Sequence, residues 1–298
     1  MAVFSERLTG VAYQLGWTVI RRVPLSWASW AFAKAAGVAW RRQGPGVQVL
    51  EANLRRVLSW KYGTDEVDGK ELRTLSRAAL LSYARYWLEA FRLPVTPTER
   101  LVAGMRFQGP NEATLFANLT AGRGAGKLTT VAERLRPESV YESFLRFRQS
   151  LGFEVLPLTG GSSPFGTLAQ RLRGGGLVCL VSDRDLKESG VEVEMFGQKA
   201  RISAVAALAV HTGAALMPTA TWFDGEDWGA RIYDEIPVPD TGTRAEKIAA
   251  MSQALADRFT EAIAEHPQDW HMLQRVFTAD LDPARLPRVQ VPPPRSEP

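Results

Sequence analysis

Hydrophobic residues recur at helical spacing through the first third of the chain. From residue 5 to 94 the sequence is rich in strong helix formers, and apolar positions return every three to four residues. Helix-breaking residues interrupt this pattern at Pro24, at 43–46 and around Gly63. The pattern therefore predicts an N-terminal layer of helices that are separated at these places.

Beyond Pro94 the pattern changes to short apolar runs that alternate with amphipathic segments. The predicted strands are 128–133, 153–158, 176–182 and 215–223. The predicted helices are 138–151, 164–173, 203–212 and 243–265. Apolar strands followed by helices are typical of a parallel sheet covered on both faces. We therefore expect an α/β fold with a mostly parallel central sheet flanked by helices, and ligands near the carboxyl ends of its strands.

The chain of 298 residues has the length of one α/β domain. We expect a single domain over 1–298, with a helical layer at 1–95, an α/β core at 96–285 and a flexible tail at 286–298. The tail is rich in proline and lacks apolar periodicity. The excess of 36 basic over 32 acidic residues is too small to indicate a nucleic-acid partner unless the basic residues cluster.

Tryptophan and arginine residues are concentrated in the predicted helical layer. They are Trp17, Trp27, Trp30 and Trp40, beside Arg21, Arg22, Arg41 and Arg42. This mixture suits a membrane surface, where indole rings lie at the headgroup boundary and arginines meet anionic lipids. Packing between helices is the alternative interpretation, and the pattern leaves both open. Apolar runs are too short for a spanning helix and the N-terminus lacks a signal-peptide layout, so we expect a peripheral protein on the cytoplasmic side.

The cysteine and histidine residues indicate neither a disulfide nor a metal site. Cys179 is the single cysteine, which is typical of a reducing compartment, and its apolar surroundings predict a place in the core. His211 lies on an apolar predicted helix, where packing is expected. His266 and His271 are separated by Pro267 and lack the helical spacing of a zinc pair. We expect structural roles for the histidines and no bound metal.

Charged side chains follow several predicted strands and one predicted helix, where ligands of α/β proteins bind. These candidate residues are Glu133, Arg134, Arg148, Asp183, Arg184 and Asp185. Gathered in one place, they would shift one another's pKa values and could hold a polyhydroxyl substrate by paired hydrogen bonds. A helix cap and a surface ion pair are the alternative interpretation for 183–185.

Longer strings of the sequence carry a resemblance to a known family. They are NLRRVL (53–58), SYARYWLEAFRLP (82–94), TTVAERLRPESVYESF (129–144), RFRQSLGFEVLPLTGG (146–161), VCLVSDRDLKESGVEVEMFG (178–197), HTGAALMP (211–218) and HPQDWHMLQ (266–274). In this order they resemble the actinobacterial phosphatidylinositol mannoside acyltransferases, relatives of the lipid A late acyltransferases in the wider lysophospholipid acyltransferase group. Long collinear matches over most of the chain are far more specific than a short motif.

The resemblance implies an α/β core and an N-terminal helical layer that docks on the inner face of the plasma membrane. It also implies transfer of a long fatty acyl group from acyl-CoA to a mannose hydroxyl of a phosphatidylinositol mannoside, without a further cofactor. The implied partners are therefore acyl-CoA, the mannosylated phosphoinositide and the inner-membrane surface.

The resemblance also assigns roles to the charged candidates. Glu133 and Arg134 match the family's VAERL stretch, Arg148 its central arginine, and Asp183 a position that is Glu or Asp, followed by Arg184 and Asp185. By this match Glu133 and Asp183 support catalysis. Binding of the sugar and the head group falls to Arg134, Arg148, Arg184 and Asp185.

One motif that the resemblance implies is absent from the sequence. The family carries a His-x-x-x-x-Asp motif whose histidine takes the proton from the attacking hydroxyl while the aspartate orients the ring. It belongs between GRGA (122–125) and TTVAERL (129–135), where this chain has Gly126, Lys127 and Leu128. Roughly twenty residues are missing, although a crossover between parallel strands needs about a dozen or more.

Three explanations of the missing motif are open. The residues are present in the gene but lost from this sequence, they were deleted, or the protein is a naturally inactive relative. The function therefore has alternatives: an acyl-CoA-dependent O-acyltransferase, an acyltransferase for another glycolipid acceptor, or a lipid-binding protein that kept the groove and lost the base.

Overall fold

The computed structural model describes residues 16, 18–108, 128–133, 138–150, 152–158, 163–185 and 190–281. Some of the sequence-based predictions fall outside these residues, namely those for Trp17, Arg134, the junction at 125–127 and the tail at 286–298. Most of the predicted helical layer and of the predicted α/β core lies within them. The boundaries between these parts, at 95 and 285, stay predictions.

The first layer contains three long helices in its described part. They are α1 (Leu25–Arg42), α2 (Pro45–Tyr62) and α3 (Gly69–Arg92). α1 follows Pro24 and ends before Gln43, whose φ of 49° is left-handed, and α2 ends before Gly63, whose φ is 65°. Gly63 adopts this conformation without the clash that a Cβ would cause. The predicted breaks at Pro24, 43–46 and Gly63 are therefore confirmed.

Small and branched apolar residues pack these helices together. The buried residues of this cluster are Ala36, Val47, Leu50, Leu54, Leu58, Leu72, Ala79 and Leu80. Trp40 on α1 donates a hydrogen bond from Nε1 to Ser76 Oγ on α3 at 3.0 Å. At the other end of α1, the rings of Phe32 and Phe91 are 6.4 Å apart. α1 and α3 therefore run antiparallel along each other.

α1 presents a large apolar surface to the solvent. It buries Ala28 and Ala36, whereas Trp27 is 71% and Trp30 is 65% exposed. Trp40 is half-buried between helices, so helix packing explains Trp40 but does not explain the two exposed tryptophans. Among the described residues, no helix is both long and apolar enough to cross a membrane.

The α/β part contains short strands. They are β1 (Met105–Phe107), β2 (Thr129–Ala132), β3 (Glu154–Pro157), β4 (Val191–Met195), β5 (Gln198–Ile202), β6 (Thr219–Asp224) and β7 (Asp227–Ile232). Within the described residues they form three sheets, which are β1–β7–β6, the parallel pair β2–β3 and the antiparallel hairpin β4–β5. β7 pairs parallel with β1 and antiparallel with β6. The α/β class is confirmed, but the predicted single, mostly parallel sheet is corrected to short sheets of mixed pairing.

The helices of the α/β part agree with the predicted pattern. They are α4 (Thr98–Gly104), α5 (Glu138–Ser150), α6 (Phe165–Arg173), α7 (Ala206–Thr212) and α8 (Arg244–Glu265). All but α4 lie in predicted helices, and β2, β3 and β6 overlap predicted strands. α8 begins with a capping box, in which Thr243 accepts a hydrogen bond from the Glu246 backbone and the Glu246 carboxylate accepts one from the Thr243 backbone.

Among the residues that the structure describes, the predicted strand 176–182 pairs only at its beginning. Thr129 N donates to Leu177 O and Cys179 N donates to Thr129 O, both at 2.9 Å. This short stretch runs parallel to β2 through the bridge between Thr129 and Val178. Cys179 is exposed. The prediction that Cys179 lies in the core is therefore wrong.

The β4–β5 hairpin is missing from the sequence-based prediction, although it carries part of the main core. Val193 and Met195 are buried on one face of β4, and they pack in one cluster with residues of α8. The turn has positive φ at Phe196 and Gly197, as a two-residue hairpin turn requires. The buried Phe196 ring lies 5.9 Å from that of Trp270, and this packing offsets the strained backbone.

Polar contacts join the helical layer to the segment that follows α8. Asn53 on α2 is fully buried and donates from Nδ2 to the carbonyl oxygens of Met272, at 2.9 Å, and Gln274, at 3.0 Å. Arg56, one turn along α2, makes a two-pronged ion pair with Asp280 at 2.7 and 2.8 Å. These contacts fix the segment that brings Trp270 and the neighbouring histidine to the candidate site.

Candidate active site

The candidate site lies at the carboxyl end of β2. Because the stretch at 177–179 runs parallel to β2, the residues that follow both emerge at the same edge. Arg184 Nη2 is 3.7 Å from Glu133 Oε2 across this edge. Of the charged candidates, Glu133 and Arg184 therefore lie close together, and their roles toward a substrate stay predictions.

Asp183 has a buried carboxyl group with one free oxygen. Its Oδ2 accepts a hydrogen bond from Trp270 Nε1 at 3.0 Å, whereas its Oδ1 is buried without a hydrogen-bond partner among the described residues. Burial raises the pKa of Asp183, and the bond from Trp270 and the charge of Arg184 offset only part of this rise. A buried oxygen without a partner is costly, so it is well suited to accept a hydrogen bond from a ligand.

Ser203 holds the backbone around this carboxyl group in place. Its Oγ donates to the carbonyl oxygen of Arg184 at 2.7 Å, and its backbone N–H donates to the carbonyl oxygen of Ser182 at 3.2 Å. Ser203 follows β5 directly. The residue that follows the β4–β5 hairpin therefore holds the backbone at 182–184, although Ser203 lies 19 positions after Arg184 in the sequence.

Asp185 makes its contacts with the protein itself. Its Oδ2 accepts hydrogen bonds from Gly190 N at 2.7 Å and from Arg201 Nε at 3.3 Å. Arg201 also donates to the carbonyl oxygen of Gly190 at 2.6 Å, and the side chains of Asp185 and Arg201 are each 8% exposed. These contacts indicate a structural role, and the substrate contact that the sequence assigned to Asp185 stays a prediction.

Arg148 lies at the opposite edge from Glu133. The carbonyl oxygen of Arg148 accepts a hydrogen bond from Phe153 N just before β3 begins, so Arg148 is close to the amino ends of the strands. Four residues of strand separate the two edges by about 13 Å. The guanidinium carbon lies 4.4 Å from the centroid of the Phe144 ring, and burial lowers the pKa of Arg148, an effect that nearby Tyr86 and Cys179 partly offset. The structure therefore does not gather all the predicted charges at one edge, and Arg134 lies outside the described residues.

A polar cluster formed by Ser82, Asp269 and His271, next to the ring of Tyr86, was not predicted from the sequence. Ser82 Oγ lies 2.8 Å from His271 Nε2, and it also donates a hydrogen bond to Asp269 Oδ1. Because an ionised carboxylate only accepts, the hydroxyl proton points to Asp269 and the His271 ring donates to Ser82. Burial lowers the pKa of His271 to about 4, and the charge of Asp269 opposes this shift only in part. His271 is therefore neutral at pH 7.

The strings SYARYW and HPQDWHMLQ contain these unpredicted residues, but nothing in their spacing shows that they meet. Ser82 and His271 are 189 positions apart, and Trp270 and Asp183 are 87 positions apart. The rings of Tyr83 and Tyr86 lie 5.3 and 6.0 Å from that of His271. Ser82, Tyr83 and Tyr86 on α3 and His271 in the segment after α8 thus pack together, and they form one wall near Arg148.

Comparison with known proteins assigns the chain to a family. The sequence profile of the bacterial lipid A biosynthesis acyltransferases matches residues 116–279, and the chain belongs to this family of acyltransferases. The phosphatidylinositol mannoside acyltransferase of Mycolicibacterium smegmatis is 43% identical over 95% of this chain and 96% of its own length. That of Mycobacterium tuberculosis is 42% identical over 94% of this chain and 92% of its own length. The resemblance inferred from the sequence is confirmed.

The alignment with the first relative has more positions than this chain supplies. It runs over 306 positions but uses 95% of a chain of 298 residues, which leaves about twenty positions of the relative without a counterpart. This number agrees with the segment that the missing His-x-x-x-x-Asp motif would occupy. The location of the gap between Ala125 and Leu128 stays a prediction.

Proposed function

We propose that this protein is a peripheral membrane acyltransferase that moves a long-chain fatty acyl group from acyl-CoA to a mannose hydroxyl of a phosphatidylinositol mannoside. Membership of the acyltransferase family and the names of the relatives support this acceptor and this reaction class. The observation that carries the proposal is the buried Asp183 carboxyl beside the Glu133–Arg184 pair, because its Oδ1 has no hydrogen-bond partner among the described residues.

Asp183 is the described group best suited to take the proton of the acceptor. Burial raises the pKa of Asp183, so its ionised carboxylate binds a proton more tightly than an exposed aspartate does. The hydroxyl oxygen attacks the thioester carbonyl carbon and its proton passes to Asp183. The carbon–sulfur bond then breaks, and the leaving CoA sulfur takes up that proton. Glu133 and Arg184 hold the neighbouring sugar hydroxyls by hydrogen bonds.

Arg148 suits the phosphate of the acceptor. Its guanidinium has no ion-pair partner within the described residues, and it stays positively charged at neutral pH although burial lowers its pKa. A phosphoinositide headgroup that bridges the strand edges would place its phosphate near Arg148 and a mannose near Asp183. The separation of the two edges thus fits an extended headgroup.

Replacing Asp183 with asparagine is expected to reduce acyl transfer about 100-fold or more, because the free oxygen loses its ability to accept the proton. The measurement is transfer from radiolabelled palmitoyl-CoA to phosphatidylinositol mannoside in detergent micelles. Glu192→Gln on the exposed face of β4 is the matched control and should keep full transfer. Equal turnover by Asp183→Asn and the parent protein would show that another group is the base.

Membrane docking through α1 is part of the proposal and places the protein on the cytoplasmic face of the plasma membrane. Trp27 and Trp30 are exposed on α1, whose last turn carries Arg41 and Arg42. Replacing both tryptophans with alanine is expected to lower cosedimentation with phosphatidylglycerol vesicles several-fold. Val102→Ala, at an exposed site on α4, should leave it unchanged. Undiminished vesicle binding by the double variant would contradict this docking mode.

A second candidate function is a lipid-binding relative without catalysis. The absence of the His-x-x-x-x-Asp motif between Ala125 and Leu128 favours it. The test inserts the corresponding segment of the M. smegmatis relative at this junction. No transfer by the parent protein and measurable transfer by the chimera would support the second candidate. Transfer by the parent protein would exclude it, and parallel assays with other glycolipids would then test the acceptor.

A further inference from the structure

An apolar groove runs along the contact between α1 and α3, away from the strand edge. Its volume is about 710 Å³, and its walls include Phe32, Ala35, Ala39, Tyr83, Trp87 and Phe91. The groove also touches Leu273 and the beginning of α2 at Pro45. Among its described lining residues, Arg42 is the only one that carries a charge.

The sequence of α1 explains why this groove is open. Ala35, Ala36 and Ala39 line it with methyl groups, while α3 supplies the large rings of Tyr83 and Trp87 opposite them. Longer side chains on α1 would fill the space. Walls of this kind offer few partners for ordered water and favour a hydrocarbon ligand.

The position of the groove points to the source of that hydrocarbon. Tyr83 lines the groove and lies parallel to Tyr86, with ring centroids 6.4 Å apart. Tyr86 in turn lies near Arg148, close enough to raise the pKa of its guanidinium. Two aromatic side chains therefore connect the groove to the arginine that suits the acceptor phosphate. Trp27 and Trp30 are exposed on the helix that forms the opposite wall.

We propose that this groove holds one fatty acyl tail of the acceptor glycolipid, drawn from the membrane while its phosphate lies at Arg148. This inference rests on the proposed function, because the acceptor is taken from it. The tail and the headgroup are then held on the two sides of Tyr83 and Tyr86. The acceptor is recognised by its lipid part as well as by its sugar.

The test uses phosphatidylinositol mannoside with a diazirine in one acyl chain, carried in phosphatidylcholine vesicles. After irradiation of the full-length protein, mass spectrometry should find the label on α1 and α3 peptides that line the groove. Ala39→Trp fills the groove and should lower this labelling several-fold, and Ala35→Phe should do the same from one turn away. Ala33→Trp, exposed on α1 but outside the lining residues, is the matched control and should label like the parent protein.

Two results would overturn the inference. Equal groove labelling in Ala39→Trp, Ala35→Phe and the parent protein would show that the tail lies elsewhere. Equal labelling by phosphatidylglycerol with the same diazirine tail would show that the groove takes bulk lipid rather than the acceptor. Labelling does not depend on acyl transfer. A parent protein without transfer, but with acceptor-specific labelling of the groove, would refute the proposed chemistry and support this inference.

Discussion

Replacing Arg201 with methionine is expected to lower the free energy of unfolding by about 3–5 kcal/mol. Arg201 and Asp185 form an ion pair whose side chains are each 8% exposed. The substitution removes the cationic partner of a buried carboxylate and also the donor to the Gly190 carbonyl. Both losses leave buried polar groups less well satisfied. Urea unfolding at pH 7, compared with the parent protein, measures the effect.

Lys199→Met is the matched control, because it removes a positive charge from the same strand. Lys199 pairs with Glu192 at 2.8 Å, but the side chains are 73% and 44% exposed. Water screens such a pair, so the expected loss is much smaller than that of Arg201→Met. Similar losses in Arg201→Met and Lys199→Met would contradict the structural role of the Asp185 ion pair. The carboxylate of Asp185 would then again be a good candidate for contact with substrate.

The helices could be predicted because the signals that form them are local. Pro24 and Gly63 break the pattern where the helices break, since proline fixes φ and lacks an N–H donor, and glycine adopts a left-handed φ without a clash. The β4–β5 hairpin escaped prediction for the opposite reason. The first position of its turn, before Gly197, is Phe196 rather than a residue that favours positive φ, and distant partners such as Trp270 hold Phe196 there.

The candidate site was predictable only as a set of residue types at strand ends. That rule placed Glu133 beside Arg184 because both follow parallel stretches. The same rule did not predict that Arg148 lies at the other edge of the strands from Glu133. A position late in a helix does not determine which edge the side chain reaches. The rule also could not supply Trp270, whose bond to Asp183 depends on the packing of the segment after α8.

Acidification from pH 7 to 4 is expected to cost the parent protein about 3 kcal/mol of stability through His271. Burial lowers the pKa of His271 from 6.5 to about 4 in the folded state. Between these values the unfolded chain binds the proton and the folded protein does not, so stability falls as the pH falls. Each pKa unit corresponds to about 1.4 kcal/mol. Urea unfolding at intervals between pH 7 and 4 follows the loss.

Other groups titrate in this range, so the comparison must be with a variant. The raised pKa of Asp183 acts in the opposite direction above pH 3.8, and the lowered pKa of His266 acts in the same direction as His271. His271→Gln keeps an N–H donor for Ser82 and removes the titrating ring, so its stability should fall about 3 kcal/mol less over this range. His211→Gln, at an exposed site, should follow the parent protein.

An equal loss of stability with falling pH in His271→Gln and in the parent protein would contradict this prediction. It would mean that His271 can be protonated without disrupting the contact between α3 and the segment after α8. A smaller loss of stability in His271→Gln than in the parent protein would identify that contact as the acid-sensitive part of the wall near Arg148.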